Sequence, residues 1–207
     1  MNNPSLTDDL AYVRDLAEAG QQSPLLGGRF LVWWGGLMTL AYAGHYLIVS
    51  DVLKVGDAAY GILWSVFGVV GLVGYFTLVK TMPADKPGQS SATNKVEASV
   101  WMIAGFSLFA YFITLTIKAF LGGDATAGFM GSLPLVFTAY AIGLFTSGAI
   151  ARNTVLKAAG YGALGMIVVS TLFSDTLFIW AVAALGAFLT AFLPGLLMLM
   201  REPKSIV

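Results

Sequence analysis

Between residues 30 and 200 the apolar side chains come in long unbroken runs, not in alternation. A half-buried strand alternates every second residue, so these runs argue against a strand-built barrel and for helices apolar all round. A hydrocarbon core about 30 Å thick takes about 20 residues of helix at about 1.5 Å each. Six runs meet that need: 30–49, 58–79, 98–121, 131–150, 158–173 and 176–200. The fifth is the shortest and richest in glycine, and only Ser174 and Asp175 part it from the sixth. The pattern predicts an all-α polytopic bundle of six transmembrane helices.

A different pattern precedes them. Leu6, Leu10, Val13 and Ala17 recur at three- and four-residue steps, with Tyr12 and Leu16 widening the stripe, and this predicts an amphipathic helix over 6–19. Ser5 or Thr7 suits its N-cap, Asp8 and Asp9 suit the positive end of its dipole, and Gly20 suits its stop. Asp8, Asp9, Asp15 and Glu18 against Arg14 make it acidic. Helices that lie on anionic leaflets are usually basic, so docking to protein is the preferred role; a helix resting at the membrane surface is the alternative. The chain thus divides into a helix and linker over 1–28 and a membrane domain over 29–207. The stretch 80–97, rich in Pro, Gly, Ser, Thr and Asn, reads as a long inner loop.

Composition agrees. Of 207 residues 57% are hydrophobic and 11% charged, where a soluble domain carries about 25% charged residues. Net charge is zero with no basic patch, which excludes a nucleic-acid partner. With no Cys and one His, no cofactor or metal site is expected from this chain alone. Nine basic residues (Arg14, Arg29, Lys80, Lys86, Lys95, Arg152, Lys157, Arg201, Lys204) fall on one side of the runs, and two, Lys54 and Lys118, on the other. The positive-inside rule then puts both termini in the cytoplasm. Trp33, Trp34, Trp101 and Trp180 stand near span starts, where indoles favour the headgroup layer, while Trp64 lies deeper.

Few residues suggest chemistry. Gly160, Gly162 and Gly165 spell G-x-G-x-x-G, but the dinucleotide motif needs a preceding strand, and here the glycines lie inside a span. No Gly-x-Ser-Gly nucleophile surrounds Ser147, and the single His lies in the first span, so intramembrane proteolysis is not expected. His45, beside Tyr42 and Tyr46, is either a proton-responsive group or a member of the outer aromatic layer. Lys118 either reaches the outer interface or pairs inside the bundle with one of the outer acids Asp51, Asp57, Asp124 and Asp175. Pro194 removes a backbone hydrogen bond and frees the carbonyl of Thr190, giving a hinge or a simply accommodated break. Gly68, Gly71 and Gly74, Gly143 with Ser147, and Ala158 with Gly162 offer close helix contact, within one bundle or across a homo-oligomer.

The stretch Gly28-Arg29-Phe30-Leu31-Val32-Trp33-Trp34-Gly35, followed by Leu37, Ala41, His45 and Tyr46, resembles a pattern in uncharacterised multi-spanning bacterial membrane proteins, over about forty residues. In these a short cytoplasmic amphipathic helix precedes a first span that opens F-L-x-W-G. The resemblance implies architecture and a bacterial inner-membrane address, and no activity. The expected function is a non-enzymatic accessory, sensory or regulatory module in the lipid bilayer, acting through a protein partner. A small channel or transporter for a neutral solute is the rival, with Ser107, Thr138, Thr190 and Pro194 as lining groups.

Overall fold

The computed structural model describes Asp9 and residues 25–82 and 91–202. Among these residues every regular element is helical. α1 spans Gly28–Val49, α2 Ala58–Lys80, α3 Ala92–Phe120, the short α4 Thr126–Met130, α5 Ser132–Ile150 and α6 Thr154–Leu172. The last rod has three parts: α7 Ile179–Ala187, a π-helical turn Phe188–Phe192 and α8 Leu193–Arg201. The helix expected over 6–19, with its Leu6, Leu10, Val13 and Ala17, lies outside the described residues; only Asp9 of that stretch is described, as helical and exposed.

Five helices are long and apolar enough to cross a membrane: α2, α3, α5, α6 and the composite rod 179–201. The six expected spans are therefore five by length and composition. α1 has the length, at 22 residues, but Trp33, Trp34, Tyr42, His45, Tyr46 and its glycines dilute the aliphatic content. Those same residues make it the most contacted helix, touching α2, α7, the π turn and α8.

Caps move two boundaries. α3 begins at Ala92 rather than 98, because the Ser91 hydroxyl accepts the Asn94 backbone N–H at 3.2 Å. Residues 92–97, expected in the inner loop, are helical. At 29 residues, α3 rises about 43 Å, more than a hydrocarbon core of about 30 Å needs. Its polar opening, Ala92 to Glu97, is thus an overhang ahead of the apolar run that starts at Ala98. α6 begins four residues before the expected 158, since Asn153 Oδ1 accepts from Val155 N at 2.9 Å and Leu156 N at 3.2 Å.

Contacts fix the directions of the rods. Gly27 lies against Glu97, Gly28 against Leu199 and Phe30 against Tyr75, so the starts of α1 and α3 and the ends of α2 and α8 share one end, here the proximal end. The core is filled by Tyr42, Leu133, Phe137, Leu144, Leu156 and Ile179, each at most 2% exposed. α1, α5, α6 and the composite rod surround it. α2 is fastened to α1, and α3 to α5 and α4. Their outward faces, with Ile62, Val69, Val73 and Phe76 on α2 and Ile103, Phe106 and Phe109 on α3, are exposed.

The tightest seam joins the first helix to the last. A Cβ built on Gly35 would stand 2.5 Å from Phe192 N, one on Gly28 2.9 Å from Leu199 N, and one on Gly195 2.6 Å from Leu31 Cβ. Across the seam Ala183, Ala187, Ala191 and Gly195 follow at four-residue steps, all buried. Small residues on both sides let the backbones touch, and dispersion then holds the helices. The glycines singled out in the second span do something else. Gly71 and Gly74 leave room for the indoles of Trp34 and Trp33, and Trp33 Nε1 donates to Gly71 O at 3.1 Å, while Gly68 has nothing near.

Candidate functional site

Two polar constellations stand out, one toward each end of the bundle. The distal one is built around His45 on α1. Trp64 Nε1, from α2, donates to His45 Nδ1 at 3.1 Å. Trp180, from α7, stacks on the imidazole with centroids 3.7 Å apart and planes 23° apart. Tyr60 approaches at 5.0 Å, and Tyr42 meets both Trp64 and Trp180 at 5.8 Å. An Nδ1 that accepts carries no proton, so the neutral ring bears its proton on Nε2. A doubly protonated ring would break the Trp64 bond. His45 is 9% exposed and Trp180 3%. Trp180, expected near the start of the last span, is thus packed inside the protein, stacked on His45. Among the described residues no three His, Cys, Asp or Glu gather to hold a metal ion.

The proximal constellation was not singled out in the sequence. Asn94, Glu97 and Trp101 are three and four residues apart, hence on one face of α3. Trp101 Nε1 donates to Ser147 Oγ on α5 at 3.1 Å, its ring lying over Gly143, where a Cβ would meet Cη2 at 2.7 Å. The Ser147 side chain hydrogen-bonds the Glu97 carboxyl. Asn94 Oδ1 accepts Leu26 N at 3.0 Å and Asn94 Nδ2 donates to Ser91 Oγ at 3.1 Å, so one amide ties the segment ahead of α1 to the start of α3. Glu97 is 4% exposed, and its Oε1 has no hydrogen-bond partner. A Cβ on Gly27 would stand 2.8 Å from that oxygen. Burial pushes the Glu97 carboxyl up to about 7, with the Ser147 bond pulling the other way.

The remaining candidates lie apart from both clusters. Thr190 and Pro194 are buried in the last rod. The π turn 188–192 ends two residues before Pro194, and wider turns of this kind accommodate a missing backbone donor. The Thr190 hydroxyl donates to Gly186 O at 2.7 Å. Gly160, of the rejected glycine motif, packs on the Phe145 backbone within a helix. Lys118 is exposed and its stem lies along Gly123, where a Cβ would meet Lys118 Cγ at 3.0 Å. In the same connection Thr126 N donates to Asp124 Oδ1 at 2.8 Å, and this bond, with a smaller contribution from Lys118, holds the Asp124 carboxyl below the usual carboxylate range. Lys118→Leu is expected to leave folded yield and thermal midpoint nearly unchanged, within about 0.5 kcal/mol as for ordinary surface changes. Size-exclusion of the detergent-solubilised protein checks this, and a collapse in yield would mean the ammonium is needed inside the fold.

Helices of this length and apolarity mark an integral membrane protein. No protein family model, no curated protein and no solved structure matches the chain.

Proposed function

We propose that the chain is a bacterial inner-membrane protein with six spans and both termini in the cytoplasm, and that it acts without enzymatic activity as an accessory, sensory or regulatory module through a protein partner. The sixth span in this reading is α1, whose 22 residues suffice for a bilayer although its aromatic content lowers its hydropathy. The orientation rests on the nine-to-two distribution of Lys and Arg, and the bacterial address on the resemblance at residues 28–46.

One observation favours the module over a solute pathway. The hydroxyls that would line a pore are turned onto their own helices: Thr190 donates to Gly186 O at 2.7 Å, Thr138 to Pro134 O at 2.7 Å and Ser107 to Ile103 O at 2.8 Å. Such bonds consume the donor without offering it to a solute. The centre between the helices is meanwhile occupied by Tyr42, Phe137 and Leu144. The uncovered apolar faces of α2 and α3 and the acidic helix expected over 6–19 are the surfaces this reading assigns to lipid and partner.

Liposomes carrying the purified chain test it. Shrinkage in hyperosmotic glycerol or urea, followed by light scattering, is expected to match empty vesicles. Faster equilibration that Thr190→Leu abolishes would establish the channel instead.

A further inference from the structure

Glu97 is a carboxyl at the proximal end, buried under Gly27, with one oxygen lacking any hydrogen bond and the other group contact supplied by Ser147. Charged residues occur on the elements around it: Arg29 on α1, Lys80 at the end of α2, Lys95 on α3, Arg152 after α5, Lys157 on α6, and Arg201 and Glu202 at the end of α8. None of these adds a charge interaction to Glu97, and among the described residues no ion pair reaches it. Among the described residues the groups set against it are uncharged: Gly27 from the segment before α1 and Ser147 from α5. A buried carboxylate without a cation is costly, and the remedies are a proton or water. Oε1 is closed to solvent, so a proton fits where a hydrated ion does not.

Among the described residues the cover over that oxygen makes fewer polar ties than the helices beneath it. α3 and α5 are interlocked by the Trp101 ring over Gly143 and its bond to Ser147. The cover rests on buried Leu25 and Leu26 and the single Leu26–Asn94 hydrogen bond. Ionisation that calls for water is met most readily by lifting residues 25–27. We propose that Glu97 is a proton-binding site governing the docking of residues 25–27: they hold against the bundle while its carboxyl carries a proton and come away when that proton is lost.

The sign follows from linkage. The docked carboxyl titrates near 7, the water-exposed one near 4.5, so the docked form binds the extra proton. Docking is strongest below the exposed value, weakens about tenfold per pH unit between the two, and levels off above the docked value. Amide exchange of the full chain in lipid nanodiscs, corrected for the intrinsic rate, reads this at the Leu26 N–H. Wild-type protection is expected to fall about tenfold per unit from about pH 5 to about pH 7. Glu97→Gln, which mimics the neutral acid, is expected to stay flat. At about pH 6, infrared difference spectra of wild type against Glu97→Gln are expected to show the carbonyl stretch of a protonated carboxyl. A flat wild-type profile, an unchanged slope in Glu97→Gln, or no such band overturns the proposal. Should Glu97→Gln not fold, the wild-type slope decides together with Ser147→Ala. That change removes the bond favouring the charged form and is expected to carry the fall to higher pH; an unmoved end point overturns the assignment.

Discussion

Gly35→Leu is expected to abolish the folded bundle. A methyl at this position already falls 2.5 Å from Phe192 N and 2.9 Å from Ala191 C, both backbone atoms of the π turn that have no side-chain freedom with which to yield. Gly35→Ala is expected to cost about 1–3 kcal/mol as overpacking, and leucine more, because its branch has no space on either side of the seam. Gly68→Ala and Gly105→Ala are the controls, since nothing lies within 4 Å of a Cβ at either site. Fluorescence-detected size-exclusion after a temperature series separates the two classes. If Gly35→Leu keeps the wild-type midpoint, contact of α1 with the π turn is not what holds the first helix to the last.

Trp180→Ala is expected to have the next largest effect, about 3–5 kcal/mol, as for a buried aromatic truncated to alanine. The residue is 3% exposed and touches Tyr42 and His45 at centroid distances of 5.8 Å and 3.7 Å. Its loss opens a void and leaves the imidazole without its stacked neighbour. A double-mutant cycle with His45→Leu is expected to return a coupling of about 0.5–1.5 kcal/mol, the range for ring pairs beyond their buried area. Chemical unfolding in mixed micelles measures it. Strict additivity would mean that the two rings only share a location.

What was legible in the sequence was governed by period and length. Continuous apolar runs located every long helix to within a turn or so at most of their limits, because lipid-facing and core-facing positions are both apolar and the run itself is the signal. The start of α3 was hidden because its first six residues, Ala-Thr-Asn-Lys-Val-Glu, look like loop by hydropathy while Ser91 caps them as helix. That reading left Glu97 in a loop instead of on a helix and concealed it; the Asn94, Glu97, Trp101 spacing is the trace it left. His45 was visible as the single histidine, yet its partners Trp64 and Trp180 lie on two other helices, and no local pattern links them. The aromatic-belt tendency gave reason to expect Trp33, Trp34 and Trp180 near span starts but said nothing of their partners: two fit the notches at Gly71 and Gly74 and one covers an imidazole. Among small residues, spacing alone did not tell Gly71, which hosts an indole, from Gly35, which meets a backbone.

The seam between α1 and the 179–201 rod has a consequence for biosynthesis. A nascent chain presents its first hydrophobic segment long before the final one leaves the ribosome, so the glycine face of α1 has to wait for its partner. α2 is available at once to cover Trp33 and Trp34, but α3 finds its mate, α5, only later. Maturation is thereby tied to completion of translation: a product truncated before residue 179 lacks the surface that seals Gly28 and Gly35, and it displays to membrane quality-control proteases a helix the finished protein keeps concealed.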